Sequence, residues 1–146
     1  MSIWVSPESL ETLNAGGADT LVKPLGIVFT EIGENFIRGT MPVDARTRQP
    51  YGLLHGGASV ALAETLGSLG ASMCVDHARY MCVGQEINAN HLKSVRSGTV
   101  TGTARPLHVG SRSQVWSIDI VNESGALVCV SRLTVAILER PQRGPR

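Results

Sequence analysis

Residues 49–75 read QPYGLLHGGASVALAETLGSLGASMCV, the longest apolar stretch of the chain, and Glu64 is its only formally charged side chain. The length and the Ala and Leu content of residues 58–74 predict a helix. It is apolar nearly all round, so it needs covering on every side, and Gly67 and Gly70 permit close packing against whatever covers it. Upstream, Ser6-Pro7-Glu8 has the form of a helix start: a hydroxyl N-cap, a proline at the first helical position and an acid near the positive end. That helix is expected to carry Leu10 and Leu13 inward and to stop within residues 14–17. Strand candidates follow at 27–31 and 36–41, separated by a Gly33-Glu34-Asn35 turn, and a polar loop spans 44–50. After the long helix come four strand-like runs, at 82–92, 99–107, 114–121 and 127–137, with Asn122-Glu123-Ser124-Gly125 as a hairpin connection.

This order predicts an α+β fold in which one antiparallel sheet curls around one apolar helix. A single sheet cannot enclose that helix completely, so a second copy of the chain is expected to cover the rest. Residues 1–138 read as one domain without repeat or linker, and 139–146 as a frayed tail. The length of 146 residues fits a single core, and 42% hydrophobic with 17% charged residues describes an ordinary globular chain. A net charge of +1 and an aromatic content of 4% argue against a nucleic-acid partner. Hydroxyl side chains and Glu64 within 56–75 argue against a membrane span, and residues 1–10 lack a signal-peptide pattern. Cys74, Cys82 and Cys129, an odd count without ligand spacing, read as reduced thiols of a cytoplasmic protein. No metal quartet and no nucleotide-binding glycine motif is present, so neither metal nor cofactor is expected.

A carboxylate on a buried helix costs several kcal/mol unless something pairs with it or uses it. Immediately before the helix, Tyr51-Gly52-Leu53-Leu54-His55-Gly56-Gly57 leaves backbone N–H groups at its positive end, where a carbonyl can be polarised and an oxyanion stabilised. Gln49 can donate to the same region and His55 can orient the turn, although a flexible turn with a capping His would look the same. Ser68 lies one turn beyond Glu64 on the same face, placed to hold the carboxylate or a water. A hydroxyl bonded to its own helix backbone is the ordinary alternative. His55 and Glu64 are nine residues apart, so the helix separates them by ~13 Å on opposite faces. They meet at one carbonyl only if Glu64 works with the His-Gly turn of a second subunit. A second group, Gly84, His91-Leu92-Lys93-Ser94 and His108-Val109-Gly110-Ser111-Arg112-Ser113, combines cations with small residues and suits a phosphate-bearing ligand.

MPVDARTRQPYGLLHGGASVALAETLGS, VGQEINANHLKS and PLHVGSRSQVW resemble the hotdog-fold acyl-CoA thioesterases, in particular the subgroup of the 1,4-dihydroxy-2-naphthoyl-CoA and enterobactin-synthesis proofreading thioesterases. The resemblance runs over residues 10–138. It implies an antiparallel sheet around a central helix, dimers with shared active sites, and commonly a tetramer of two dimers. By the same resemblance Glu64 is the catalytic carboxylate, as nucleophile or as general base, and the Gly56 N–H is the donor to the thioester carbonyl. Gln49 and His55 match residues that place the carbonyl and the leaving sulfur, and Ser68 the position supporting the acyl pocket and the hydrolytic water. Gly84, His91, Leu92, Lys93, Ser94, His108, Val109, Gly110, Ser111, Arg112 and Ser113 match segments that contact CoA, which is substrate and not cofactor. Leu69 falls at a variable acyl-pocket position, and Leu53 and Met73 are further candidates to shape that pocket. The expected activity is hydrolysis of acyl-CoA, aromatic acyl groups included. The alternatives are a thioesterase for acyl carrier proteins, a hydratase on the same fold, and a non-catalytic acyl-CoA binding module.

Overall fold

The computed structural model describes residues 1–141, so the tail expected at 139–146 lies mostly outside the described residues. Eight elements follow in chain order: α1 (Leu10–Gly16), β1 (Val28–Ile32), β2 (Ile37–Pro42), α2 (Gly56–Met73), β3 (Tyr80–His91), β4 (Thr99–Val109), β5 (Ser113–Val121) and β6 (Leu127–Glu139). The strands form one six-stranded sheet in the order β1-β2-β4-β5-β6-β3, every neighbouring pair antiparallel. The expected α+β arrangement of a sheet around one long helix is therefore present.

Small residues on both surfaces let α2 sit close to the sheet. Leu62 and Leu66 lie over Gly102, and Leu66 also meets Gly39, while Gly67 and Gly70 of the helix lie under Leu133 and Trp116. A Cβ at Gly70 would stand 2.7 Å from Trp116 Cζ3. Trp116 is fully buried, stacks on Trp4 at 6.3 Å between ring centroids, and donates through Nε1 to Gln114 Oε1 at 2.9 Å. Gln114 in turn donates to the Ala71 carbonyl, so this buried polar pair is satisfied and tied to the helix. Gly70→Ala should lower stability by about 1–3 kcal/mol despite alanine's ~1 kcal/mol better helix propensity, because the indole has no room to retreat. A urea midpoint equal to or above the parent's would contradict this.

The first helix starts three residues later than Ser6-Pro7-Glu8 suggests. Ser9 is its N-cap, with Oγ accepting from Thr12 N. Ser6 is engaged elsewhere: its Oγ donates to the Val75 carbonyl at 2.8 Å, and the N–H groups of Val5 and Ser6 donate to the Met73 carbonyl. These tertiary bonds satisfy carbonyls at the C-terminal end of α2, which outweighs the local preference for an earlier helix start. Leu10 and Leu13 pack against the core as expected, and the Asn14 side chain pairs with both backbone groups of Phe29 on the sheet edge.

Among the described residues α2 is fully covered on one side and partly covered on the other. Leu62, Ala63, Leu66, Gly67, Gly70 and Ala71 are buried, whereas Ala61, Glu64, Thr65, Ser68 and Leu69 form a half-exposed stripe. The three cysteines are free; Cys74 and Cys129 are buried and Cys82 partly so. Burial, with Cys82 nearby, pushes the Cys74 thiol up to about 11, and burial raises Cys82 and Cys129 as well, which keeps all three unreactive thiols. Among the described residues no helix is long and apolar enough to cross a membrane.

Candidate active site

The turn before α2 is held by its own backbone. Gln49 N–H donates to the Leu53 carbonyl, Leu54 N–H to Val95, and His55 N–H to Thr47. His55 caps the helix: its Nδ1 accepts from Gly57 N–H at 2.8 Å, and its carbonyl accepts from Ala58 and Ser59. Among the described residues nothing accepts from the Gly56 N–H, so the first donor of α2 stays open. Gln49 Oε1 accepts from Tyr51 N–H, which leaves the amide N–H groups of its side chain as donors.

These donors face one cavity of about 350 Å³, lined by Gln49 and Gly56 together with His91, Leu92, Lys93 and Ser94. Leu53, Leu54, Ser59 and Val128 complete its wall. The end of β3 is brought there by β6: His91 pairs with Cys129, and the N–H groups of Leu92 and Lys93 both donate to the Val128 carbonyl. The imidazole of His91 lies directly against Gly56, where an added Cβ would be 2.8 Å from Nε2. The His55 ring borders a different hollow, about 290 Å³, with Arg46, Gly57 and Ala61 among its lining residues.

Glu64 lies two turns away. Eight residues of helix separate it from Gly56, a rise of ~12 Å. It is half-buried, less enclosed than its apolar surroundings in the sequence imply, because it lies on the stripe of α2 turned from the sheet. Ser68 Oγ donates to Glu64 Oε1 at 3.0 Å. The carboxylate also rests on Gly84 of β3, where any Cβ would collide with Oε1. Gly84 thus makes room for the acid. The strand is bulged between Gly84 and Glu86 at this point.

The cation-bearing segments fall at opposite ends of the sheet. Gly84 pairs with Val135 and Val135 with Gln114, so the Arg112-Ser113 end of the turn over Gly110 and Ser111 lies two strand spacings, ~10 Å, from Gly84, with His108 and Val109 one strand further on β4. Seven residues of strand, ~23 Å, separate Gly84 from His91. Within one chain, then, the Glu64 end holds Ser68, Gly84 and the 108–113 turn, and the Gly56 end holds Gln49 and residues 91–94. Leu69 lines a further hollow of about 400 Å³ with Leu13, Val22, Phe29 and Thr65. Met73, expected in the acyl pocket, is instead fully buried in the core, since its position on α2 faces the sheet. Ser59 and Val128 line the cavity at Gly56 without belonging to either sequence constellation. Ser59 was legible as a hydroxyl one turn beyond Gly56, but Val128 reaches the cavity only through strand pairing. No group of His, Cys, Asp or Glu among the described residues is arranged to hold a metal.

A family model described as the thioesterase superfamily matches residues 51–129. The chain belongs to that superfamily, the thioester hydrolases built on the hotdog fold. It is 54% identical over 136 residues to the 1,4-dihydroxy-2-naphthoyl-CoA hydrolase of Escherichia coli, covering 93% of this chain and 99% of that protein. It is 50% identical to the proofreading thioesterase EntH of Cronobacter sakazakii, covering 93% and 98% respectively. A solved thioesterase from Haemophilus influenzae superposes with a TM-score of 0.93 at 48% identity, covering 97% of this chain and 99% of that one.

Proposed function

We propose that the protein hydrolyses acyl-CoA thioesters to the free acid and CoA in the cytoplasm, with aromatic acyl groups such as benzoyl or hydroxynaphthoyl favoured. The observation that carries this reading is the division of the site along α2, with open donors at Gly56 and Gln49 and an acid at Glu64 beyond their reach. The sheet offers a way to join the halves. β3 ends the strand order, so one of its edges has no neighbour among the described residues. Two β3 edges paired antiparallel about Asn88, with the bulge between Gly84 and Glu86 taking up one residue, set Gly84 of one chain opposite the partner subunit's His91, twice per dimer. Each site then draws Glu64, Ser68 and Gly84 from one protomer and Gln49, His55 and Gly56 from the other. By resemblance, two such dimers form a homotetramer.

In this site the thioester oxygen accepts from the Gly56 N–H and the Gln49 amide at the positive end of α2. Glu64 either attacks the carbonyl carbon or removes a proton from the water that does, and Ser68 fixes the carboxylate. The CoA arm runs out past Leu92, Lys93 and Ser94 of one chain and the 108–113 turn of the other, where Lys93 and Arg112 meet its phosphates. No metal, cofactor or nucleic acid takes part. Benzoyl-CoA incubated with the protein should release one thiol per benzoate; saturable binding without thiol release would instead indicate an acyl-CoA binding module. Arg112→Ala should raise KM for benzoyl-CoA several-fold more than it lowers kcat, because that contact is remote from the reacting carbon. An unchanged KM at moderate salt would make Arg112 an ordinary surface residue.

A carrier-protein thioester is the second reading. Exposed Tyr51 and Leu92 stand near Lys93 and Arg96, with Arg96 Nη1 donating to the Tyr51 carbonyl, and an apolar rim edged with cations suits an acidic carrier. Comparing kcat/KM for the same acyl group on CoA and on a carrier separates the two.

A further inference from the structure

We propose that His91 is the proton donor to the departing thiolate, a role distinct from contacting the CoA nucleotide. The proposal rests on the thioester reading above and adds a residue to its chemistry. Three observations converge on this ring. Its Nε2 edge is aimed at Gly56, close enough that a Cβ there would stand only 2.8 Å away. It shares the cavity with Gln49 and Gly56. Among the described residues neither ring nitrogen has a hydrogen-bond partner, while the backbone around it is fixed by β6 through Cys129 and Val128.

The direction of the substrate assigns the role. The carbonyl oxygen occupies the Gly56 side, and the arm leaves along Leu92, Lys93 and Ser94, so the sulfur between them passes beside His91. In the β3–β3 pairing, His91 also lies opposite the partner subunit's Gly84 and hence near the partner subunit's Glu64, on the far side of the scissile bond. The collapse then balances. Water forms the new C–O bond and gives its proton to Glu64. The C–S bond breaks with its electron pair on sulfur, and sulfur takes the proton from His91 Nε2. His91 is exposed, so its proton returns from solvent and Glu64 releases its own.

The test varies the leaving group at a constant acyl group. An alkyl thiolate gains from a proton as it leaves, whereas a 4-nitrophenyl thiolate spreads its charge over the ring and departs without one. Wild type, His91→Ala and His91→Gln are compared on benzoyl-CoA, benzoyl-N-acetylcysteamine and the 4-nitrophenyl thioester of benzoic acid. His91→Ala should lower kcat on both alkyl thioesters about 10²-fold while the aryl thioester loses less than about threefold. His91→Gln keeps an N–H but transfers no proton, and should recover less than half of that loss on a logarithmic scale. Equal slowing of alkyl and aryl thioesters would overturn the proposal in favour of a packing or carbonyl-side role. A rise confined to KM for benzoyl-CoA would overturn it in favour of a CoA contact. Wild-type protein inactive on all three esters would overturn the thioesterase reading and His91's role together.

Discussion

Glu64→Gln is expected to fold and assemble as the parent does while kcat on benzoyl-CoA falls at least ~10³-fold, about 4 kcal/mol in the barrier. The substitution keeps the shape of the side chain and one oxygen. Ser68 Oγ, which donates to Glu64 Oε1 at 3.0 Å, therefore keeps an acceptor. Gly84 still leaves room for the group, and a half-buried site tolerates a neutral amide. What disappears is the ability to take a proton from water or to attack the carbonyl, and no neighbour on the α2 stripe can replace it. Thermal melting should shift little, so the loss is chemical. Near-normal turnover by a folded Glu64→Gln protein would remove Glu64 from the mechanism.

Mixing two inactive variants should restore activity if the site is shared. Glu64→Ala damages the acid half and Gln49→Ala the donor half, and each alone leaves every site of its homodimer defective. After subunit exchange, a mixed dimer holds one site with both defects and one with neither. Random pairing makes about half the dimers mixed with one intact site of two, so roughly a quarter of wild-type activity should return. A site built within one chain would return nothing, because every chain carries a defect. Mass measurement of the exchanged dimers establishes that mixing occurred. Mixed dimers present but inactive would sink the shared site. The experiment tests the β3–β3 pairing as well, since that pairing is what places Gly84 opposite the partner subunit's His91.

Both expectations trace to features legible at different levels. The apolar run with one acid predicts a long helix, and α2 (Gly56–Met73) has nearly those bounds. Four strand runs and an Asn-Glu-Ser-Gly turn predict an antiparallel sheet, and the strands differ from expectation by one to two residues at most ends. Local patterning is sufficient there because helix and strand periodicities are written residue by residue. It is insufficient at Ser6-Pro7-Glu8, where the strap across the end of α2 takes the hydroxyl that the sequence offers as a cap.

By itself the sequence determined the elements, their order, the acid on the helix and the ~13 Å that keeps Glu64 from its own chain's His55. The tertiary structure alone decided which residues meet. It placed His91, 35 residues after Gly56, against that glycine, because β6 holds the end of β3 there. It set Gly84 beneath the carboxylate of Glu64, and it assigned Met73 to the core, since the helix phase relative to the sheet is fixed by packing. Spacing along a chain fixes distances within one element, whereas proximity between elements depends on strand register, which no local pattern records.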